Sequence, residues 1–234
     1  MPGEGAIAAE VILDLVARPA MNGLARVHTW FTGKEVLILG PARAGKSSFS
    51  EYLQYGLLEP EQDTPTTITP HKSASFRLKI GRGSSLEMKV KRAVDVAGEI
   101  GPIEHARLAE ERKPEAIVVL LDIDAPVAGR SKNATSPWLV AFCKHLKQRL
   151  VEEPKMKKRL KALLFVANKR DKVSDATAEV RIAAFKDIIH KHLGEAFGPL
   201  SESEFVLPCI LIRHPRATEF ADAVVSRLAR SLSK

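Results

Sequence analysis

From residue 34 onward the chain alternates short, continuous apolar runs with longer stretches whose apolar positions recur at helical spacing. The runs are 35–39 (EVLIL), 116–122 (AIVVLLD), 162–167 (ALLFVA) and 205–212 (FVLPCILI). They do not alternate with polar residues, as strands buried on both faces do not, so they predict a parallel sheet in an α/β fold. A different pattern lies between the first two. Phe76, Leu78 and Ile80 alternate with polar residues, Gly81-Arg82-Gly83 marks a turn, and Leu86, Met88 and Val90 alternate again. That pattern predicts an antiparallel hairpin. Helices are expected at 46–56, 103–112, 138–151, 176–193 and 218–232, the last carrying Phe220, Val224, Leu228 and Leu232 on one stripe. Ahead of this region, residues 6–17 place Ile7, Val11, Ile12, Leu15 and Val16 opposite Glu10 and Asp14. This predicts an amphipathic helix whose acidic polar face suits packing on its own domain or a protein better than an anionic membrane. The reading therefore divides the chain into an N-terminal helix and linker, 1–33, and one domain, 34–234.

Composition narrows the class. A chain of 234 residues with 45% hydrophobic residues and mixed-sign charge is neither disordered nor low-complexity, and it is long enough for one sizeable core. No stretch reaches the roughly eighteen consecutive apolar residues of a membrane span, and no secretory signal opens the sequence. Cys143 and Cys209 are too few for a disulfide framework or metal cluster. A soluble, cytoplasmic, reducing setting is expected. The net charge of +8 is compatible with nucleic acid, anionic lipid or a phosphorylated ligand, so it does not choose a function.

Four short segments carry chemistry. Gly40-Pro41-Ala42-Arg43-Ala44-Gly45-Lys46-Ser47 fits G-x-x-x-x-G-K-[ST] between an expected strand and an expected helix. Glycines let backbone N–H groups close around phosphate at a helix N-terminus, Lys46 reaches the β- and γ-phosphates, and the Ser47 hydroxyl suits Mg²⁺. The phosphate-binding set is Gly40, Arg43, Ala44, Gly45, Lys46, Ser47 and Ser48.

Asn168-Lys169-Arg170-Asp171 follows the run ALLFVA. The Asp171 carboxylate can accept from N1–H and the 2-amino group of guanine, whereas adenine offers neither donor there. Asn168 is expected to brace the loops and Lys169 to lie along the base. Taken alone, the tetrapeptide also reads as a charged turn. Its place after a phosphate loop, at the carboxyl end of a sheet strand, favours guanine. Asp95-Val96-Ala97-Gly98 ends the second hairpin strand, where Asp95 supports Mg²⁺ through water and the Gly98 N–H approaches the γ-phosphate. In the loop Thr64-Pro65-Thr66-Thr67-Ile68-Thr69-Pro70, Thr67 is the expected Mg²⁺ ligand and γ-phosphate sensor.

With these segments in this order, the chain resembles the small GTPases of the Ras and Arf kind over about 34–232. The resemblance implies a three-layer P-loop fold with a mostly parallel six-stranded sheet and one antiparallel hairpin strand. It also implies a GTP/GDP switch that hydrolyses GTP with Mg²⁺, and protein effectors or regulators meeting switch segments near 60–72 and 95–112. The family's remaining base-contacting motif falls on Pro208-Cys209-Ile210, closer to the Thr-Cys-Ala of Arf-like members, with Cys209 and the bulky Ile210 beside the base. A second departure is Glu99, where Ras-like enzymes carry the glutamine that orients water. A glutamate only accepts hydrogen bonds and adds negative charge near the γ-phosphate, so slow intrinsic hydrolysis is expected. The expected catalytic set is Lys46, Thr67, Gly98 and Glu99. Two other readings stay open: a nucleotide-bound scaffold with little hydrolysis, and an adenine-dependent ATPase or kinase.

Lys155, Lys157, Lys158, Arg159 and Lys161 form a basic run that reads first as a solvated face, with a membrane or partner contact as the alternative. Nucleic acid is disfavoured because aromatic interleaving is missing. The histidines show no metal-ligand spacing, and residues 124–137 read as an irregular insert.

Overall fold

The computed structural model describes residues 31–55, 71–72, 76–80, 86–95, 101–125, 134–197, 206–211 and 216–232. The N-terminal helix expected at 6–17, Thr67, Gly98 and Glu99 lie outside the described residues.

In chain order the elements are β1 (Phe31–Leu39), α1 (Lys46–Tyr55), β2 (His71–Lys72), β3 (Phe76–Ile80), β4 (Leu86–Asp95), α2 (Pro102–Arg112), β5 (Ala116–Asp122), α3 (Thr135–Glu152), α4 (Pro154–Arg159), β6 (Ala162–Asn168), a 3₁₀ turn (Arg170–Lys172), α5 (Asp175–Phe197), β7 (Val206–Pro208) and α6 (Ala217–Leu232). The sheet runs β2-β4-β1-β5-β6-β7, with β3 also on β4. All pairs from β4 to β7 are parallel. β2 and β3 are antiparallel to β4 in one continuous register, from His71↔Asp95 and Lys72↔Val94 to Phe76↔Val90 and Ile80↔Leu86. The sequence implied six strands; the described residues form seven strand segments, two of which share β4 in that register.

β5 and β6 are buried at every position, which is why their sequences show no alternation. Residues one apart then face opposite layers. Val36, Ile38, Val118, Leu120, Leu164 and Val166 pack with Phe49, Leu53, Val224 and Leu228 of α1 and α6. Leu37, Leu39, Ile117, Val119, Leu163 and Phe165 pack with Phe142, Leu146, Phe185 and Ile189 of α3 and α5. Three layers result, each large buried side chain contributing roughly 1.5–3 kcal/mol.

Several boundaries differ from the sequence reading, each for a local reason. β1 begins at Phe31, inside the segment read as helix and linker, because it pairs with Met88 and Lys89 before the apolar run starts. The insert expected at 124–137 gives way to α3 at Thr135. Pro137 stands in the first turn, where its missing N–H removes no helical bond, and the Thr135 hydroxyl donates to the Asp122 carbonyl at 3.0 Å. α5 continues through Gly194 because Leu193 and Ala196 extend its buried stripe. β7 stops at Pro208, and beyond it the Cys209 N–H and carbonyl still bond the Ala167 carbonyl and the Arg170 N–H.

Candidate functional site

The site forms where β1, β5 and β6 end. β1 stops at Leu39 and the chain turns through residues 40–45 into α1, with Gly40 at φ 148°, Arg43 at 61° and Gly45 at 94°. A Cβ on Gly40 would stand 2.3 Å from the Leu120 carbonyl oxygen, and one on Gly45 2.2 Å from Asn168 Nδ2. Both glycines are therefore fixed by close approach as well as by φ. Lys46 is buried and arches back over its own loop, donating from Nζ to the Pro41 carbonyl at 2.8 Å. Ser47 and Ser48 are half-buried in the first turn of α1, which carries no acidic residue, so the positive end of the helix is not offset there.

Asn168 ends β6, and its Nδ2 donates to the Ala44 carbonyl at 3.0 Å, linking the two loops directly. Its Oδ1 is buried with no hydrogen-bond partner, a costly state for an amide oxygen. Lys169 adopts a left-handed conformation (φ 66°), and the chain then enters the 3₁₀ turn. Lys169 Nζ lies 2.6 Å from Asp122 Oδ2, while Asp122 Oδ1 accepts from the backbone N–H groups of Asp124 and Ala125 at 3.0 and 3.2 Å. The Arg170 guanidinium pairs with Asp175, and its backbone N–H donates to the Cys209 carbonyl at 3.2 Å. Cys209 N–H in turn donates to the Ala167 carbonyl at 2.8 Å. These bonds draw the 209–211 segment against the Asn168 loop. Cys209 and Ile210 are both buried; burial pushes the Cys209 thiol up to about 12, and Cys143 likewise, so neither is a nucleophile at neutral pH. Asp171 is half-buried at the 3₁₀ turn, and its carboxylate makes no hydrogen bond or ion pair with a described residue.

Asp95, the last residue of β4, pairs with Ile38 of β1 and so reaches the same edge as the 40–47 loop. The Ser47 hydroxyl is a hard oxygen of the kind Mg²⁺ takes, and Mg²⁺ needs only one or two protein ligands beside substrate phosphates. Among the described residues, no three His, Cys, Asp or Glu side chains cluster to hold a metal by themselves. The sequence reading assigned no role to Asp122. Its signal was a lone carboxylate closing an otherwise apolar strand at the edge where the other motifs converge.

No family model matches the sequence, and no curated protein matches it. Among solved structures, the chain is similar to Toc33 from Arabidopsis thaliana, a dimerization-deficient mutant, at 13% identity. That likeness covers 99% of this chain and 93% of that one, with a TM-score of 0.55. The fold is that of a P-loop GTPase. The chain is also similar to translation elongation factor SelB from Methanococcus maripaludis, solved with a GTP analogue, at 14% identity and a TM-score of 0.49. It covers 83% of this chain but spans only 33% of the SelB chain. In open α/β sheets ligands bind outside the carboxyl ends of the parallel strands, and the loops just described stand on that edge.

Proposed function

We propose that the chain binds guanine nucleotide and Mg²⁺ and hydrolyses GTP to GDP slowly, as a switch read by protein partners. The observation that carries this reading is the Asn168–Ala44 hydrogen bond, which joins a G-K-S phosphate loop and an N-K-x-D base loop in one site. Lys46 and the N–H groups of the 40–47 turn would receive the β- and γ-phosphates. Ser47, Thr67 and Asp95 would hold Mg²⁺, which supplies charge neutralisation on the phosphates when bound. Asp171 would accept from N1–H and the 2-amino group of guanine. Partners would meet the segments near 60–72 and 95–112, and the two buried, unlinked cysteines accord with a reducing cytoplasm.

Glu99 sets the rate in this reading, because a glutamate cannot donate to the attacking water. The test is single-turnover hydrolysis of purified protein with GTP and Mg²⁺. GDP is expected to accumulate slowly, and Glu99→Gln to accelerate it. GTP unchanged over hours in both proteins would favour a nucleotide-bound scaffold, the reading that Glu99 also permits.

A further inference from the structure

We propose that Asp122 is the positioning residue of the base loop: its carboxylate fixes Lys169, and through it the aim of Asp171 at the guanine ring. This rests on the guanine reading above and adds a residue to it that lies in neither motif.

Strand pairing puts Asp122 there. It is the register partner of Asn168 at the last position of the β5–β6 ladder, and the Ile123 N–H extends that ladder to the Asn168 carbonyl at 3.1 Å. The carboxylate is held before it meets the lysine. Two backbone N–H groups hold Oδ1, the Asp122 carbonyl accepts from Thr135, and Arg181 donates to the neighbouring Ile123 carbonyl. Oδ2 is thereby turned to Lys169 Nζ at 2.6 Å. The Asp122 side chain is 10% exposed and that of Lys169 31%, so the carboxylate is the fixed member and the lysine the held one.

An exposed ion pair would count for little, but a carboxylate this enclosed, with three donors, is expensive to disturb. Lys169 needs such a hold, since a left-handed conformation is unfavourable for a residue with a side chain. The Lys169 carbonyl also accepts from the Lys172 N–H at 3.0 Å, which closes the turn that carries Asp171. Displacing Lys169 therefore displaces the carboxylate that reads the base.

The test compares wild type, D122N, K169M and the double variant for affinity toward GDP, inosine diphosphate and pyrophosphate, with thermal melts to verify folding. Inosine diphosphate lacks the 2-amino group, so its ratio to GDP reports the aim of Asp171. D122N keeps an acceptor for the two N–H groups but faces the ammonium with an amide. It is expected to weaken GDP by about tenfold to a hundredfold, the range for losing a charged hydrogen bond. The GDP preference over inosine diphosphate should shrink and pyrophosphate binding should hold. The double variant should lose no more than K169M alone. GDP affinity within twofold of wild type in D122N, an unchanged GDP-to-inosine ratio, or losses that multiply in the double variant would overturn the proposal. If D122N does not fold, K169R carries the test. Retaining the pair, it should keep the base preference that K169M loses, and equal loss in both would be contrary. Wild type that binds no guanine nucleotide would overturn the guanine reading itself, a result distinct from an unaffected D122N.

Discussion

At Gly45 a single hydrogen atom decides whether two loops can meet. The position has φ 94° and lies against the Asn168 amide, so Gly45→Ala would meet both backbone strain and a 2.2 Å approach. Calorimetry of nucleotide binding is expected to show no heat with Gly45→Ala, and its unfolding free energy to fall by about 1–3 kcal/mol. Asp171 offers the complementary test of chemistry without strain. Asn at this position still accepts from N1–H but presents an amide donor where guanine has an amino group. Xanthine carries a carbonyl there. Asp171→Asn is therefore expected to weaken GDP by about a hundredfold or more and to bind xanthosine diphosphate better than GDP, measured by competition. Both residues were legible in the sequence because their motifs fix residue type and spacing. Asp122 was not, because its importance comes from a ladder partner 46 positions away along the chain (168 − 122).

At the scale of elements, helix contacts set the pH response and the local stability. The Tyr52 hydroxyl on α1 donates to Asp222 Oδ1 on α6 at 2.6 Å. Burial pushes the Asp222 carboxyl up to about 6, with the Tyr52 bond acting in the opposite sense. Burial, and then the nearby Asp222, push the Tyr52 hydroxyl above its ordinary range, so it remains a donor. The folded protein thus holds a proton on Asp222 between about pH 4 and 6 that the unfolded chain has released. This contribution to stability falls as pH rises through that window. Asp222→Asn should flatten that dependence, and urea midpoints of the variant relative to wild type should rise from pH 4.5 to pH 7.5.

α4 shows a different limit of sequence reading. The run 155–161 was read for its charge, yet it forms a short helix anchored by the fully buried Met156 and closed by Leu160. Lys155, Lys157, Lys158 and Lys161 stay exposed, while Arg159 pairs with Glu115. Met156→Ala is expected to cost about 2–5 kcal/mol in chemical unfolding, and Lys157→Gln less than about 0.5 kcal/mol. Two apolar residues among five cations in a seven-residue run are too few to set a period, so the anchor was invisible to pattern. β5 and β6 were visible because full burial leaves an uninterrupted apolar run. β7 was overdrawn for the same reason: 209–211 is apolar because it packs beneath the two loops, not because it extends the strand.

At the scale of the whole molecule, the basic run of α4 is separate from the site. α4 precedes β6, so its lysines lie toward the end of the sheet away from the edge that carries Asn168. No helix among the described residues is long and apolar enough to cross a membrane. The parts of the proposed cycle that respond to the γ-phosphate, Thr67, Gly98 and Glu99, belong to the two segments between α1 and α2. The first, over 64–70, is rich in Thr and Pro, and the second was readable from Asp95-Val96-Ala97-Gly98, in neither case through a periodic pattern. The central claim is that one sheet edge holds phosphate through Lys46 and guanine through Asp171. Isothermal titration of the nucleotide-stripped protein with GDP and ADP in the presence of Mg²⁺ tests it most directly. The account predicts binding of GDP at least a hundredfold tighter than ADP, reduced to background by Lys46→Ala; equal affinity for the two, or GDP binding unaffected by Lys46→Ala, would contradict it.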